Sequence, residues 1–167
     1  MRKFFSLVAA ALLAMLGGRV ASADPVPVVL TQGTQTFKTN RLFSSNLRYV
    51  HGNVTVNSGD SVRFEDTSGI PHSITIVDSQ LATDWVGSYI CLAANLGGPC
   101  AAIAVDGHGF GAVPVLEAGA AGLDTAGDSL WLFPNSSLEA TISAPPGSTL
   151  HYACSLHPWM QGTIKVK

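Results

Sequence analysis

The sequence predicts an all-β domain, a sandwich or barrel of short strands, and three observations carry that expectation. Apolar and polar residues alternate over Ser61–Glu65, Ser73–Val77, Leu138–Ile142 and Gly162–Val166, the period of two that marks a strand with one buried face. Turn-forming clusters separate these runs: Asn57-Ser58-Gly59-Asp60, Ser68-Gly69 and Pro145-Pro146-Gly147-Ser148. Beyond the first residues no window sustains a helical period, with room only for a short helix between Ser79 and Asn95. Val26–Thr31 and Val54–Val56 add two further β-rich pieces.

The chain opens on Arg2 and Lys3, followed by an apolar run from Phe4 to Leu16 and then Ala21-Ser22-Ala23. A basic start, an apolar stretch too short to cross a bilayer and a small-residue cleavage site form the layout of an export signal. Residues 1–23 are therefore expected to be removed, leaving a chain that starts at Asp24 and works in the periplasm or outside the cell. Without them 144 of the 167 residues remain, enough for one domain with a real core and too few for two. Three of the nine basic residues (Arg2, Lys3, Arg19) leave with the leader, so six face eleven acidic ones, a net charge of −5. That balance argues against a nucleic-acid partner or an anionic membrane surface. A soluble monomer with no stable membrane insertion is the expectation.

The middle of the chain differs from its flanks. From about 79 to 128 it is rich in Ala and Gly and poor in charge, and Glu117–Asp128 reads as a loop with little packing of its own. This stretch is expected to be an insertion within a single domain spanning 24–167, long enough to flank a site. It contains two of the three cysteines, Cys91 and Cys100. In an oxidising compartment an even pair should close. The turn residues before Cys100 make Cys91–Cys100 the expected disulfide, worth about 2–3 kcal/mol at best. Cys154 is then the odd thiol, a liability unless it is buried or holds a metal.

Cys154 lies in Tyr152-Ala-Cys-Ser-Leu-His-Pro-Trp-Met-Gln-Gly162, where a thiolate, an imidazole and a thioether recur at every third residue: Cys154, His157 and Met160. Soft sulfur with imidazole is copper chemistry, and a trigonal His₂Cys set with a long axial Met is the electron-transfer arrangement. One loop between two strands can turn all three side chains to one point, with Pro158 stiffening the turn. A fourth donor must come from elsewhere. His72, in Ile70-Pro-His-Ser73 at the entrance of an alternating strand, is the candidate. Taken singly, each residue also has a plain structural reading, a core methionine or a satisfied histidine; their joint occurrence is what points to a metal. His51, His108 and His151 stand at no paired-ligand spacing, and Met is a poor zinc ligand.

Cys-x-x-His-Pro-x-Met followed by Gly and a last strand resembles the short ligand loop of amicyanin-type cupredoxins, the blue type 1 copper family that includes plastocyanin and pseudoazurin. Val54–Asp66 resembles the strand–turn–strand before that family's first histidine ligand, and Ile70-Pro71-His72 resembles that ligand's own setting. The resemblance covers about Val54–Val77 and Ser137–Val166. It implies a cupredoxin-like Greek-key β-sandwich or barrel with a long insertion before the C-terminal ligand loop. It also implies one type 1 copper ion held by His72, Cys154, His157 and Met160, with no catalytic residues. The implied role is that of a one-electron carrier, not an enzyme, meeting a redox partner such as a cytochrome or oxidoreductase through a face near His157. The alternative is a periplasmic or extracellular copper chaperone or store using the same ligands. One departure concerns tuning: Ser73 stands where the family commonly has Asn, so the bond that ties the two ligand segments falls to a hydroxyl.

Overall fold

The computed structural model describes residues 25–77, 114–157 and 159–167. The described residues form twelve strands and no helix: β1 (Val28–Gln32), β2 (Gln35–Lys38), β3 (Leu42–Ser45), β4 (Arg48–Val50), β5 (Asn53–Val56), β6 (Ser61–Asp66), β7 (His72–Val77), β8 (Val115–Leu116), β9 (Ser129–Leu132), β10 (Ser137–Thr141), β11 (Thr149–Ala153) and β12 (Gln161–Val166). One sheet has the order β10-β6-β1-β4 and a second the order β5-β12-β11-β7-β9-β8, while β2 and β3 form a separate hairpin. Most neighbours are antiparallel, but β1 runs parallel to β6 and β5 parallel to β12. Parallel neighbours cannot be joined by a tight hairpin, so the chain passes from the first sheet to the second and back between β4, β5 and β6. The result is the Greek-key sandwich expected of a cupredoxin-like chain.

The alternating strands bury the faces their patterns predict. Val62 and Phe64 of β6 and Ile164 and Val166 of β12 point inward, and they join Val29, Ile74, Ile76 and Tyr152 in one apolar cluster. Burying a side chain of this size contributes about 1.5–3 kcal/mol. Tyr152 is the centrepiece, its ring 5.0 Å from Tyr49 and 5.9 Å from Phe64, its hydroxyl donating to the Gly52 carbonyl at 2.7 Å. Gly162 passes so close beneath that ring that a Cβ there would overlap both the ring and the Gly52 carbonyl. The strand that leaves the ligand loop therefore needs, at its second position, a residue that carries no side chain.

Two expectations are corrected. The alternation in Ser73–Val77 implies one wet face, yet every residue of β7 and β9 is buried. The polar positions are satisfied among themselves: Ser155 Oγ, Ser73 Oγ, Thr75 Oγ1 and Ser129 Oγ form a row with steps of 2.8, 3.0 and 2.8 Å across the sheet. The second concerns 117–128, which is the loop expected but packs more than its composition suggests, with strands of the sandwich on both flanks. β8 pairs with β9, and Leu123, 2 % exposed, bridges to Ile142. The buried Asp128 carboxylate collects the N–H groups of Ala118, Asp124 and Thr125 at 2.8–2.9 Å. A carboxylate that gathers backbone donors organises a segment whose composition alone suggests slack. The leader, the Cys91–Cys100 pair, the short helix proposed between Ser79 and Asn95, His108 and Pro158 all lie outside the described residues. Among the described residues no helix is long and apolar enough to cross a membrane.

Candidate metal centre

The three-residue spacing of Cys154, His157 and Met160 becomes two consecutive tight turns. The His157 N–H donates to the Cys154 carbonyl at 3.2 Å, and the Met160 N–H donates to the His157 carbonyl at 2.8 Å. The Cys154 N–H then donates to the Met160 carbonyl at 3.0 Å, closing the loop on itself between β11 and β12. Cys154 is completely buried, Met160 is 1 % exposed and His157 5 % exposed. His72 arrives from β7, which pairs with β11 through Thr75↔Ala153, and it is also completely buried.

Among the described residues His72, Cys154 and His157 form the one cluster of three or more His, Cys, Asp or Glu groups able to hold a metal ion, their donor atoms all within 4.8 Å of one another. Cys154 Sγ lies 3.7 Å from His72 Nδ1 and 3.5 Å from His157 Nδ1. Metal bonds of about 2.0–2.3 Å spread in a plane at trigonal angles place nitrogen and sulfur about 3.7 Å apart. The cluster therefore has the size of a trigonal metal site, and its two imidazoles and one thiol match copper rather than a hard cation. His–Cys–His in this arrangement fits the cupredoxin family that the sequence resembles. Met160, 1 % exposed, lies in the same closed loop. His51, in an exposed turn, and His151, on β11, stand apart from the cluster.

Protonation suits the same use. Burial pushes the Cys154 thiol above its usual value, only partly offset by N–H groups from Ser73, Leu156 and His157; the free site thus holds a thiol whose proton a metal must displace. Burial, and then repulsion from His72, lowers His157 to about 4. Burial also lowers His72, against the pull of Asp66. Both imidazoles are neutral at pH 7 and each offers a lone pair.

Which nitrogen of His72 carries the proton follows from its neighbours. Ser68 Oγ donates to Asp66 Oδ1 at 2.6 Å, so towards His72 Nε2, 2.9 Å away, that oxygen can only accept. Nε2 is therefore the protonated nitrogen and Nδ1, facing the thiol, is free. Asp66 in turn accepts from Thr31 Oγ1 (2.5 Å), Ser68 N (3.0 Å), Gly69 N (3.0 Å) and Asn135 N (2.7 Å). Burial alone would raise its carboxyl, but the bonds from Ser68, Thr31 and Asn135 outweigh that and hold it below the ordinary value. Sequence reasoning missed this relay, although Asp-x-Ser-Gly ahead of a Pro-His is the signature of a side-chain-closed turn.

On the other side, Ser73 performs the tie that its hydroxyl suggested. The Ser73 N–H donates to Cys154 Sγ at 3.3 Å, and Ser73 Oγ accepts from the Ser155 N–H at 2.8 Å. The Tyr49 hydroxyl donates to the Ser73 carbonyl at 2.6 Å. The two donor-bearing segments are thus locked by backbone as well as side chain.

No protein-family model matches the chain, and no curated protein does. Among solved structures it is similar to auracyanin from Roseiflexus castenholzii, in its dithionite-reduced form, at 22 % identity over 87 % of this chain and 99 % of that one, with a TM-score of 0.46. It is similar to a purple cupredoxin from Nitrosopumilus maritimus at 16 % identity over 84 % and 99 %, TM-score 0.44. It is also similar to a reduced Cu(I) amicyanin variant at 16 % identity over 88 % and 87 %, TM-score 0.45.

Proposed function

We propose that the chain is an exported mononuclear type 1 copper protein that carries one electron at a time between redox partners, its metal held by His72, Cys154, His157 and Met160. The observation that carries this reading is the convergence of two neutral imidazole nitrogens and one thiol at trigonal spacing inside a buried pocket. Copper bound there would supply a Cu(I)/Cu(II) couple.

The protein's own groups do the rest. Cys154 gives up its proton on loading, and the Ser73 N–H stabilises the thiolate left behind. Ser68 and Asp66 fix the tautomer and the plane of His72. The closed loop and the β7–β11 pairing keep the donors in place whichever charge the site carries, which holds down the reorganisation that electron transfer costs. This work needs no substrate pocket and no enzyme chemistry. It is assigned to a soluble monomer in the periplasm or outside the cell.

The test is direct. Cu(II) is added to the mature protein and the visible spectrum recorded, then the same is done with Cys154→Ser. Intense thiolate-to-copper absorption is expected in the first sample only, and a colourless first sample overturns the reading. Stopped-flow mixing with cytochromes then checks the role: colour without fast electron exchange would point to a copper store or chaperone.

A further inference from the structure

The hairpin β2–β3 presents an unusual surface. Every residue from Thr34 to Ser44 is exposed, with Phe37 at 73 %, Leu42 at 49 % and Phe43 at 50 %. Phe37 stands opposite Phe43 and Lys38 opposite Leu42. A lone two-stranded hairpin is marginal in water, and three large apolar side chains on one hairpin leave area whose burial would be favourable. The hairpin also reaches the metal centre. The Phe43 ring meets Trp159 edge-on at 6.4 Å, and Trp159 lies 5.5 Å from His157. Phe43, Ser44, Ser45 and Trp159 line a cleft of about 450 Å³. Because His157 is itself 5 % exposed, a molecule approaching here meets the Trp159–Phe43 layer before it meets the histidine.

Charge selects the occupant. Lys38, Arg41 and Arg48 are all exposed, and residues 25–59 contain no Asp or Glu, although acidic residues outnumber basic ones in the chain as a whole, eleven to nine. The hairpin that carries the apolar side chains is therefore basic, Lys38 sharing with Leu42 the face opposite Phe37 and Phe43. A second copy docking hairpin to hairpin would set like charges against each other. We propose that the β2–β3 hairpin and Trp159 form the docking face for a one-electron redox protein whose own cofactor edge is apolar and ringed by carboxylates. The inference rests on the carrier function proposed above and adds the partner's chemistry to it. One electron passes from the reduced site to the partner's oxidised cofactor; no bond forms or breaks and no proton moves.

Copper-loaded, reduced mature protein would be mixed in stopped flow with two ferric c-type cytochromes, one with an acidic haem edge and one with a basic edge, reading haem reduction. The acidic cytochrome is expected to react about tenfold faster or more, with a rate that falls as salt rises. Lys38→Glu with Arg41→Glu should reverse the preference. Phe37→Ser with Phe43→Ser should slow the acidic cytochrome about tenfold while the rate with a neutral small oxidant changes less than twofold. Equal rates for the two cytochromes, or rates indifferent to all four substitutions, overturn the inference. So does tight binding to phosphatidylserine vesicles that the hairpin substitutions abolish while leaving the cytochrome rates unchanged. An amide-shift titration of the same protein with the acidic cytochrome separates the two proposals. Shifts confined to the hairpin and Trp159 without electron exchange keep the docking face and remove the carrier role. Fast exchange with no shifts there does the reverse.

Discussion

The donor pocket and the β2–β3 hairpin touch through Trp159 and Phe43, yet they are built on opposite terms. In the pocket His72, Cys154 and His157 are all 5 % exposed or less, as is Met160 in the same loop, and the polar atoms around the three are mutually committed, from Asp66 through Ser68 to His72 and from Ser73 to Cys154 and Ser155. The hairpin has no buried residue between Thr34 and Ser44 and keeps three large apolar side chains in water. A site whose donors must not move is over-determined, and a surface that must meet another molecule is left unsatisfied. Neighbouring parts of one fold thus divide rigidity from recognition.

That contrast can be broken most severely at Asp66. Asp66→Leu removes the acceptor shared by Thr31, Ser68, Gly69 and Asn135 and leaves the buried Thr31 hydroxyl and three part-buried N–H groups without it, so it should cost about 2–3 kcal/mol. Urea denaturation of the metal-free protein measures the loss, and a change below about 1 kcal/mol would show that the relay is ornamental.

Acid should act next, and on the pocket alone. His157 is lowered to about 4, by burial and then by His72, from an ordinary 6.5, so between those values the unfolded chain binds a proton that the folded chain refuses. Stability of the metal-free protein is therefore full above about pH 6.5 and falls as pH drops towards 4. His72, lowered by burial, adds in the same direction. Urea midpoints at pH 7, 5.5 and 4.5 should decrease in that order, whereas a flat profile would mean that the imidazoles are already wet.

Ser73→Ala tests the tie between the two donor segments. It strips an acceptor from the Ser155 N–H and two hydroxyl partners from the row, at a cost of about 1–2 kcal/mol. The copper-loaded variant should also show a shifted thiolate absorption band, read in the visible spectrum. Phe37→Ser should give the smallest effect, within about 0.5 kcal/mol, because a side chain 73 % exposed loses little on truncation. A large loss in thermal melting would mean that the hairpin is packed rather than presented.

How much of this is legible in the sequence follows from how local each feature is. Cys154, His157 and Met160 can be read because a three-residue spacing is what two successive turns require, and β6 and β12 because their alternation faces a single core. β9 is harder to read: Ser129-Leu-Trp-Leu132 is short, and both of its faces are buried. β2 and β3 give no signal because neither face is buried. The hydroxyl row is invisible because Ser73, Thr75, Ser129 and Ser155 come from three distant stretches of chain, and each looks like an ordinary polar position. Asp66 sits beside a visible turn, but its load comes from Thr31 and Asn135, contacts that only the folded sheet creates.

The separation of His72 from Cys154 by 82 positions also sets an order of events. The two meet only once β7 and β11 have paired through Thr75↔Ala153 and Ile76↔Tyr152. Sheets assembled from such distant partners close in about milliseconds to seconds. In a small zinc module all the ligands are local and the ion draws the peptide into shape; here no short segment holds the full set. An ion that needs His72 as well as the loop can be fully held only after that pairing, so the separation predicts metal uptake at the speed of the finished domain and not of its folding.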